Sequence, residues 1–302
     1  MNSICLISDG VLLSDAGGAF GLVPRSKWQR ILKADDQNRV PQFLWTPVLR
    51  VDGKTILVDC GIGDKFTSRF DVQLPRESQL DQLMSIGLKP TDIDLVVLTH
   101  LHGDHAGWCT RESKPMPGSG ADGIVKQFQP TYPNARYFVQ RQEFEDATHP
   151  NERTRNTYFV ENYVPLMEAG VLTLLEGDTQ LCEFVRVVAT PGHTVGHQSV
   201  IVSGVAFGPD EPPVFILGEL ATYMVHFARL PWVTAYDVLP LHTLETKRSW
   251  QAWALENRAT LICSHEPDIP VGVLQHEGGF VNVVDCKRSY IVSPTVRPIA
   301  EK

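Results

Sequence analysis

The stretch Thr99-His100-Leu101-His102-Gly103-Asp104-His105-Ala106-Gly107 gathers three imidazoles and a carboxylate into six consecutive positions, directly after the apolar run Leu95 to Leu98. Imidazole and carboxylate are the donors that borderline divalent cations such as zinc prefer. Side chains alternate along an extended segment, so His100 and His102 face the same side and can reach one ion. Asp104 and His105 then turn to serve a second. Four such groups packed this closely would otherwise repel or stay unsatisfied. The run therefore reads as the first half of a two-metal site.

Further donors recur in the same position relative to apolar runs. His193 follows Val187 to Gly192, Glu219 follows Phe215 to Gly218, His265 follows Leu261 to Ser264, and Asp59 follows Ile56 to Val58. Strand ends converging on one sheet edge are where α/β proteins assemble sites, because strands fix the backbone while loops carry reactive groups. The glycines of Pro191-Gly192-His193-Thr194-Val195-Gly196-His197 permit tight backbone geometry around His193. His197 reads as a supporting or structural residue. Asp59 reads as a carboxylate that orients a ligand histidine by accepting its spare N–H.

The surrounding sequence predicts an α/β layered fold. Two apolar runs flank Asp52-Gly53 between Val48 and Asp59, a strong hairpin signal. Glu77 to Leu88 places Leu80, Leu83, Met84 and Leu88 on one helical stripe that stops at Gly87 and Pro90. From Arg111 to Pro133 the chain is rich in Pro, Gly and Ser, which predicts a long loop able to wall a pocket. Short strands are expected at Val185 to Ala189, Ser199 to Ser203, Val214 to Leu217 and Leu261 to Cys263, with a helix from about Leu244 to Asn257. Alternating strands and helices in both halves imply sheets inside and helices outside. The expected organisation is one domain over residues 1–302, in two pseudo-symmetric halves of roughly 1–150 and 151–302.

Composition narrows the function. No stretch approaches the roughly 18 apolar residues of a membrane span, and Met1-Asn2-Ser3-Ile4-Cys5 lacks a signal peptide's basic and apolar segments. A soluble cytoplasmic protein is expected, without a membrane partner. The six cysteines lack a CxxC pair, which points to reduced core residues. A net charge of −8 disfavours nucleic acid and favours a neutral or small-molecule substrate.

Together these residues resemble the metallo-β-lactamase superfamily, whose signature is the HxHxDH run followed by a distant His, a bridging Asp and a final His. More narrowly, Asp15 to Pro24, Arg155 to Tyr158 and Pro231 to Asp237 look like the quorum-quenching N-acyl-homoserine lactonase branch. The resemblance implies an αβ/βα sandwich of two mixed sheets flanked by helices. It implies that His100, His102 and His193 hold one divalent ion while Asp104, His105 and His265 hold the other. The expected ions are zinc, with iron, manganese or cobalt as alternatives. The family's bridging Asp is Glu219 here, longer by one methylene, about 1.5 Å; it is expected to remain a ligand.

On this resemblance the chain is expected to be a dinuclear hydrolase that opens a lactone by attack of metal-activated hydroxide, a homodimer being left open. The two cations lower the pKa of water toward roughly 7, and Asp104, as ligand and proton acceptor, passes a proton to the leaving oxygen. Tyr223 is a candidate to hydrogen-bond the substrate carbonyl, and His226 a candidate supporting imidazole. Phe20 and Trp28 are candidates to enclose an acyl chain, while Trp108 and Cys109 are close enough to the motif to shape an entrance. Alternatives are hydrolysis of another carboxylic ester, a thioester or a phosphotriester, or a non-catalytic metal-binding or sensing protein on account of Glu219. A β-lactam hydrolase is disfavoured by the missing export signal, and a nuclease by the acidic balance.

Overall fold

A computed structural model describes residues 2–69, 72–73, 78–113 and 127–292. The strands of the first half are β1 (Ser3–Asp15), β2 (Arg39–Val51), β3 (Lys54–Val58), β4 (Val72–Gln73), β5 (Leu95–Val97), β6 (Thr110–Glu112), β7 (Phe128–Pro130), β8 (Arg136–Gln140) and β9 (Leu172–Leu175). The second half adds β10 (Thr179–Cys182), β11 (Val185–Ala189), β12 (Gln198–Val202), β13 (Val214–Ile216), β14 (Thr260–Ile262), β15 (Val271–Glu277), β16 (Phe280–Asp285) and β17 (Ile291–Val292). The α-helices are α1 (Ala16–Phe20), α2 (Arg25–Trp28), α3 (Gln79–Ser85), α4 (Gly103–Ala106), α5 (Arg141–Thr148), α6 (Val164–Glu168), α7 (Met224–Ala228) and α8 (Pro240–Glu256).

One mixed sheet runs β17-β1-β2-β3-β5-β8-β9, with β4 on β1, and a second runs β10-β11-β12-β13-β14-β15-β16. Alternation in the strands builds the layers. In β3, Ile56 and Val58 face the second sheet while Leu57 faces the helix side with Leu83 and Leu166. In β12, Val200 and Val202 face the first sheet, and Ile201 packs outward with Phe227 and Ala254 of α7 and α8. Each fully buried Val, Leu or Ile contributes about 1.5–3 kcal/mol. The order of layers is helix, sheet, sheet, helix, as the resemblance implied.

Strand direction places the site. β3 and β5 are parallel, as are β13 and β14, and β11 runs with β13 because each is antiparallel to β12. The residues after β3, β5, β11, β13 and β14 therefore emerge at shared sheet edges. The two sheets are tied there by backbone bonds from Phe43 and Trp45 to the carbonyls of His265 and Ser264, and from Gln198 to that of Thr99.

Several boundaries differ from the sequence expectation. The helix after Glu77 starts later: Ser78 caps α3 through a reciprocal Ser78–Asp81 box, and Met84 is exposed to solvent. A polar cap outweighed the apolar period there; Glu77 lies outside the described residues. The Arg111 to Pro133 stretch is flanked by the small β6–β7 ladder, and residues 114–126 lie outside the described residues. α8 begins at Pro240, a residue pre-set for a first helical turn, ahead of the expected Leu244.

Candidate metal centre

Two trios of donors meet at the shared edge. The potential ligand atoms of His100, His102 and His193 lie within 4.8 Å of one another, and so do those of Asp104, His105 and His265. The trios adjoin, with the His100 and His105 rings 4.2 Å apart. In the first trio His193 Nε2 faces His102 Nδ1 at 3.1 Å, and in the second His105 Nε2 faces His265 Nε2 at 3.1 Å. Tetrahedral zinc with bonds of about 2.05 Å holds its donors about 3.3 Å apart, so these separations fit edges of a coordination polyhedron.

Hydrogen bonds behind each ring settle which nitrogen looks forward. His105 Nδ1–H donates to Asp59 Oδ2 at 2.8 Å, His193 Nδ1–H to Asp237 Oδ1 at 3.0 Å, and His265 Nδ1–H to the Phe43 carbonyl at 2.7 Å. The Thr99 hydroxyl donates to Asp59 at 2.9 Å and so can accept only from His100 Nδ1–H, 3.0 Å away. His100 Nε2 is thereby turned inward, where it is buried and has no hydrogen-bond partner among the described residues. All four rings turn Nε2 toward the centre, the nitrogen that a divalent ion would take. Asp59 holds this post with a left-handed φ of 63°, a strain offset by its bonds to His105 and Thr99.

Glu219 is buried beside both trios, with Oε1 2.7 Å from the forward nitrogen of His265, Nε2, and Oε2 3.5 Å from the rear nitrogen of His193, Nδ1. Its backbone N–H donates to His197 Nε2 at 2.9 Å, and the Thr222 hydroxyl donates to Oε2 at 2.8 Å. Gly218, at φ 57°, admits the turn; a Cβ there would lie 2.8 Å from His197 Nε2 and from Thr99. His197 is neutral, burial pushing it down to about 3. It thus holds up the Glu219 backbone as an acceptor.

The charges of these donors are coupled. Burial raises the Glu219 carboxyl, but the His193 and His265 imidazoles outweigh it and hold the carboxyl well below its usual range. Burial disfavours a charged His265, yet Glu219 beside it lifts this imidazole to about 9. His193 is raised against burial by Glu219 and Asp237, and His105 against burial by Asp104 and Asp59. His100 and His102 are pushed well below the usual value by burial and then by neighbouring imidazoles.

The centre opens into a cleft of about 490 Å³, within the size range of small-molecule sites. Leu12, Leu13, Ala235 and Val238 supply apolar wall, and Arg69, Arg153 and Tyr236 polar rim. Asp104 faces this space, its side chain 19% exposed and 3.7 Å from His265 Nε2.

The structure does not bring every proposed pocket residue to this cleft. Tyr223 donates its hydroxyl to the Pro41 carbonyl at 3.0 Å and is buried in a cluster with Phe20 and Trp28. Phe20 stacks on Trp28 at 5.0 Å and on Tyr223 at 5.6 Å, so these rings are core rather than cleft wall. Trp108 donates to the buried Asp9 carboxylate at 2.9 Å, and Cys109 is fully buried; neither lines the cleft. His226 lines a small cavity with Glu219, Lys247 and Asp237, and neither ring nitrogen has a hydrogen-bond partner among the described residues. Asp237 and Tyr236 belong to the Pro231 to Asp237 stretch that carries the resemblance, but the sequence assigns neither a role of its own. Asp237 meets His193 across 44 residues from an irregular segment, where no periodicity marks it.

Comparisons with known proteins find related sequences and the same fold. Residues 46–110 match the model of the metallo-beta-lactamase superfamily. An N-acyl homoserine lactonase of a Bacillus species is 30% identical over 179 residues, covering 55% of this chain and 60% of that protein. An N-acyl homoserine lactonase of Rhizobium radiobacter is 27% identical over 199 residues, covering 63% of this chain and 64% of that protein. The matches thus span less than two thirds of the length of these relatives. Among solved structures, a probable metal-dependent hydrolase from Staphylococcus aureus has a TM-score of 0.80 at 22% identity, covering 95% of this chain and 98% of that one. A dizinc quorum-quenching lactonase in complex with a product has a TM-score of 0.71 at 17% identity, covering 94% of each chain. Residues 46–110 are thus similar to the metallo-beta-lactamase superfamily, and the chain shares its fold with these solved structures.

Proposed function

We propose that this chain is a metal-dependent hydrolase that opens the ring of lactones of the N-acyl-homoserine type, acting in the cytoplasm with two zinc ions. The carrying observation is the pair of adjoining donor trios with Glu219 beside both, opening on a cleft of mixed apolar and polar wall. The names of the relatives above support the lactone. His100, His102 and His193 would hold one ion, Asp104, His105 and His265 the other, and Glu219 would join them. Two bound ions supply a low pKa for water and polarisation of the ester carbonyl.

The chain's own groups do the remainder. Asp59, Asp237, Thr99 and the Phe43 carbonyl keep four imidazoles in one tautomer, so no reorganisation is needed when substrate arrives. Asp104 is the donor carboxylate with a face toward the cleft, placed to take a proton and return it to the alkoxide that leaves as the ring opens. Leu12 and Leu13 exclude water along one wall and give an acyl chain apolar contact.

The test is a substrate panel: acyl-homoserine lactones of increasing chain length against paraoxon, simple aryl esters and thioesters. The reading expects lactone turnover to lead. Turnover of the esters with none of the lactones refutes it.

A further inference from the structure

Glu143, on α5, is buried without exposed surface and is not one of the donors. Its Oε1 accepts from the Leu101 backbone N–H at 2.9 Å and from the Tyr158 hydroxyl at 3.1 Å, and its Oε2 accepts from the Thr194 hydroxyl at 2.5 Å. Each donor belongs to the neighbourhood of one trio. Leu101 separates His100 from His102, and Thr194 follows His193. Tyr158 lays its ring 4.9 Å from that of His102 and forms a backbone bridge with it. None of the three adjoins Asp104, His105 or His265 in the chain.

The loop carrying His193 also sits directly on α5: a Cβ at Gly196 would come within 2.2 Å of the Glu143 nitrogen. Burial pushes the Glu143 carboxyl up, and the three donors draw it back. A buried carboxylate is costly unless it is hydrogen-bonded, and here its bonds converge from separate segments on one anchor. Two loops far apart in sequence are thereby held at a fixed spacing.

We propose that Glu143 is a positioning residue that holds the His100, His102 and His193 trio at coordinating distance and so sets that trio's affinity for its ion, selectively over the other trio. This rests on the two-metal reading above. The test titrates metal-free protein with zinc against a chromophoric chelator, with His102→Ala and His265→Ala assigning the two binding phases. Wild-type protein is the control: if it binds no zinc, the two-metal reading fails and Glu143 is not at issue.

Given two wild-type phases, Glu143→Leu is expected to weaken the His102-dependent phase by about 10–100-fold, and to leave the His265-dependent phase within about twofold. Glu143→Gln keeps an acceptor for Leu101 N–H, and its amide can donate to the Thr194 hydroxyl, so it should restore affinity to within about threefold. Should Glu143→Leu fail to fold, the double variant Tyr158→Phe with Thr194→Val removes two of the donors and should weaken the same phase. Unchanged affinity in the variant that folds, equal loss of both phases, or a Glu143→Gln loss as large as that of Glu143→Leu overturns the proposal.

Discussion

Replacing Asp59 by Asn isolates the carboxylate that orients His105. Asp and Asn both tolerate the left-handed backbone found here at φ 63°, so the substitution leaves the turn intact, whereas Ala would add strain. The carboxylate accepts at both oxygens: Oδ1 from Thr99 N–H at 2.7 Å, and Oδ2 from His105 Nδ1–H at 2.8 Å and the Thr99 hydroxyl at 2.9 Å. An amide has one oxygen. If it faces Thr99 N–H, the NH2 meets His105 Nδ1, which must then give up its proton and carry it on Nε2. That is the nitrogen 3.1 Å from His265 Nε2, and once protonated it has no lone pair for an ion. If the amide is reversed, two buried donors oppose each other at Thr99, a comparable cost of about 1–3 kcal/mol.

Loss of an orienting partner of this kind lowers metal affinity by about 10–100-fold, or about 1.4–2.7 kcal/mol. The assay is the chelator competition described above, with a thermal melt of metal-free protein to separate folding from binding. The expected result is weakening of the His265-dependent phase, with a loss no larger in the His102-dependent phase, which Asp59 reaches only through the Thr99 hydroxyl and His100. Affinity unchanged to within about twofold, or loss confined to the His102-dependent phase, refutes the reasoning.

Tyr223→Phe should cost stability of about 1 kcal/mol, by thermal melt, because the Pro41 carbonyl loses its partner, while kcat and KM stay within about twofold. A large fall in kcat would return Tyr223 to the reaction. Glu219→Asp withdraws the carboxylate by about 1.5 Å from His265 and Thr222, and should lower both zinc retention and turnover. Equal or greater activity would mean that the longer side chain is strained. In metal-free protein burial opposes the charged His265 but Glu219 lifts it to about 9, above its ordinary 6.5. Zinc uptake at pH of about 7.5 should therefore release a proton, measured in weak buffer, and affinity should rise with pH toward about 9. The same raised value means that this proton's contribution to metal-free stability is complete below about 6.5 and lost as pH rises through about 9.

The HxHxDH run and the recurrence of donors after apolar strands are local signals that land at the strand ends where the donors converge, while the hairpin at Asp52-Gly53 turns at the opposite end of β3. What stayed hidden depends on contacts between distant segments. Glu143 reads as one charge among several on a short polar helix, and only the packing of Gly196 against α5 reveals it as an anchor. Asp237 ends a stretch that carries the resemblance, but its role shows only when the fold carries it to His193. Phe20, Trp28 and Tyr223 invited a pocket role because aromatic residues serve both cores and ligand walls, and sequence alone does not show which side of a strand end faces the cleft. Long β1, which lines the cleft through Leu12 and Leu13, was also not drawn from the N-terminal sequence.

Everything in the account depends on the two trios holding two ions. Elemental analysis of protein purified without chelator should find two divalent metal ions per chain, with His102→Ala and His265→Ala each removing one and sparing the other. Less than one ion per chain in the wild type, or two ions retained in either variant, would contradict it.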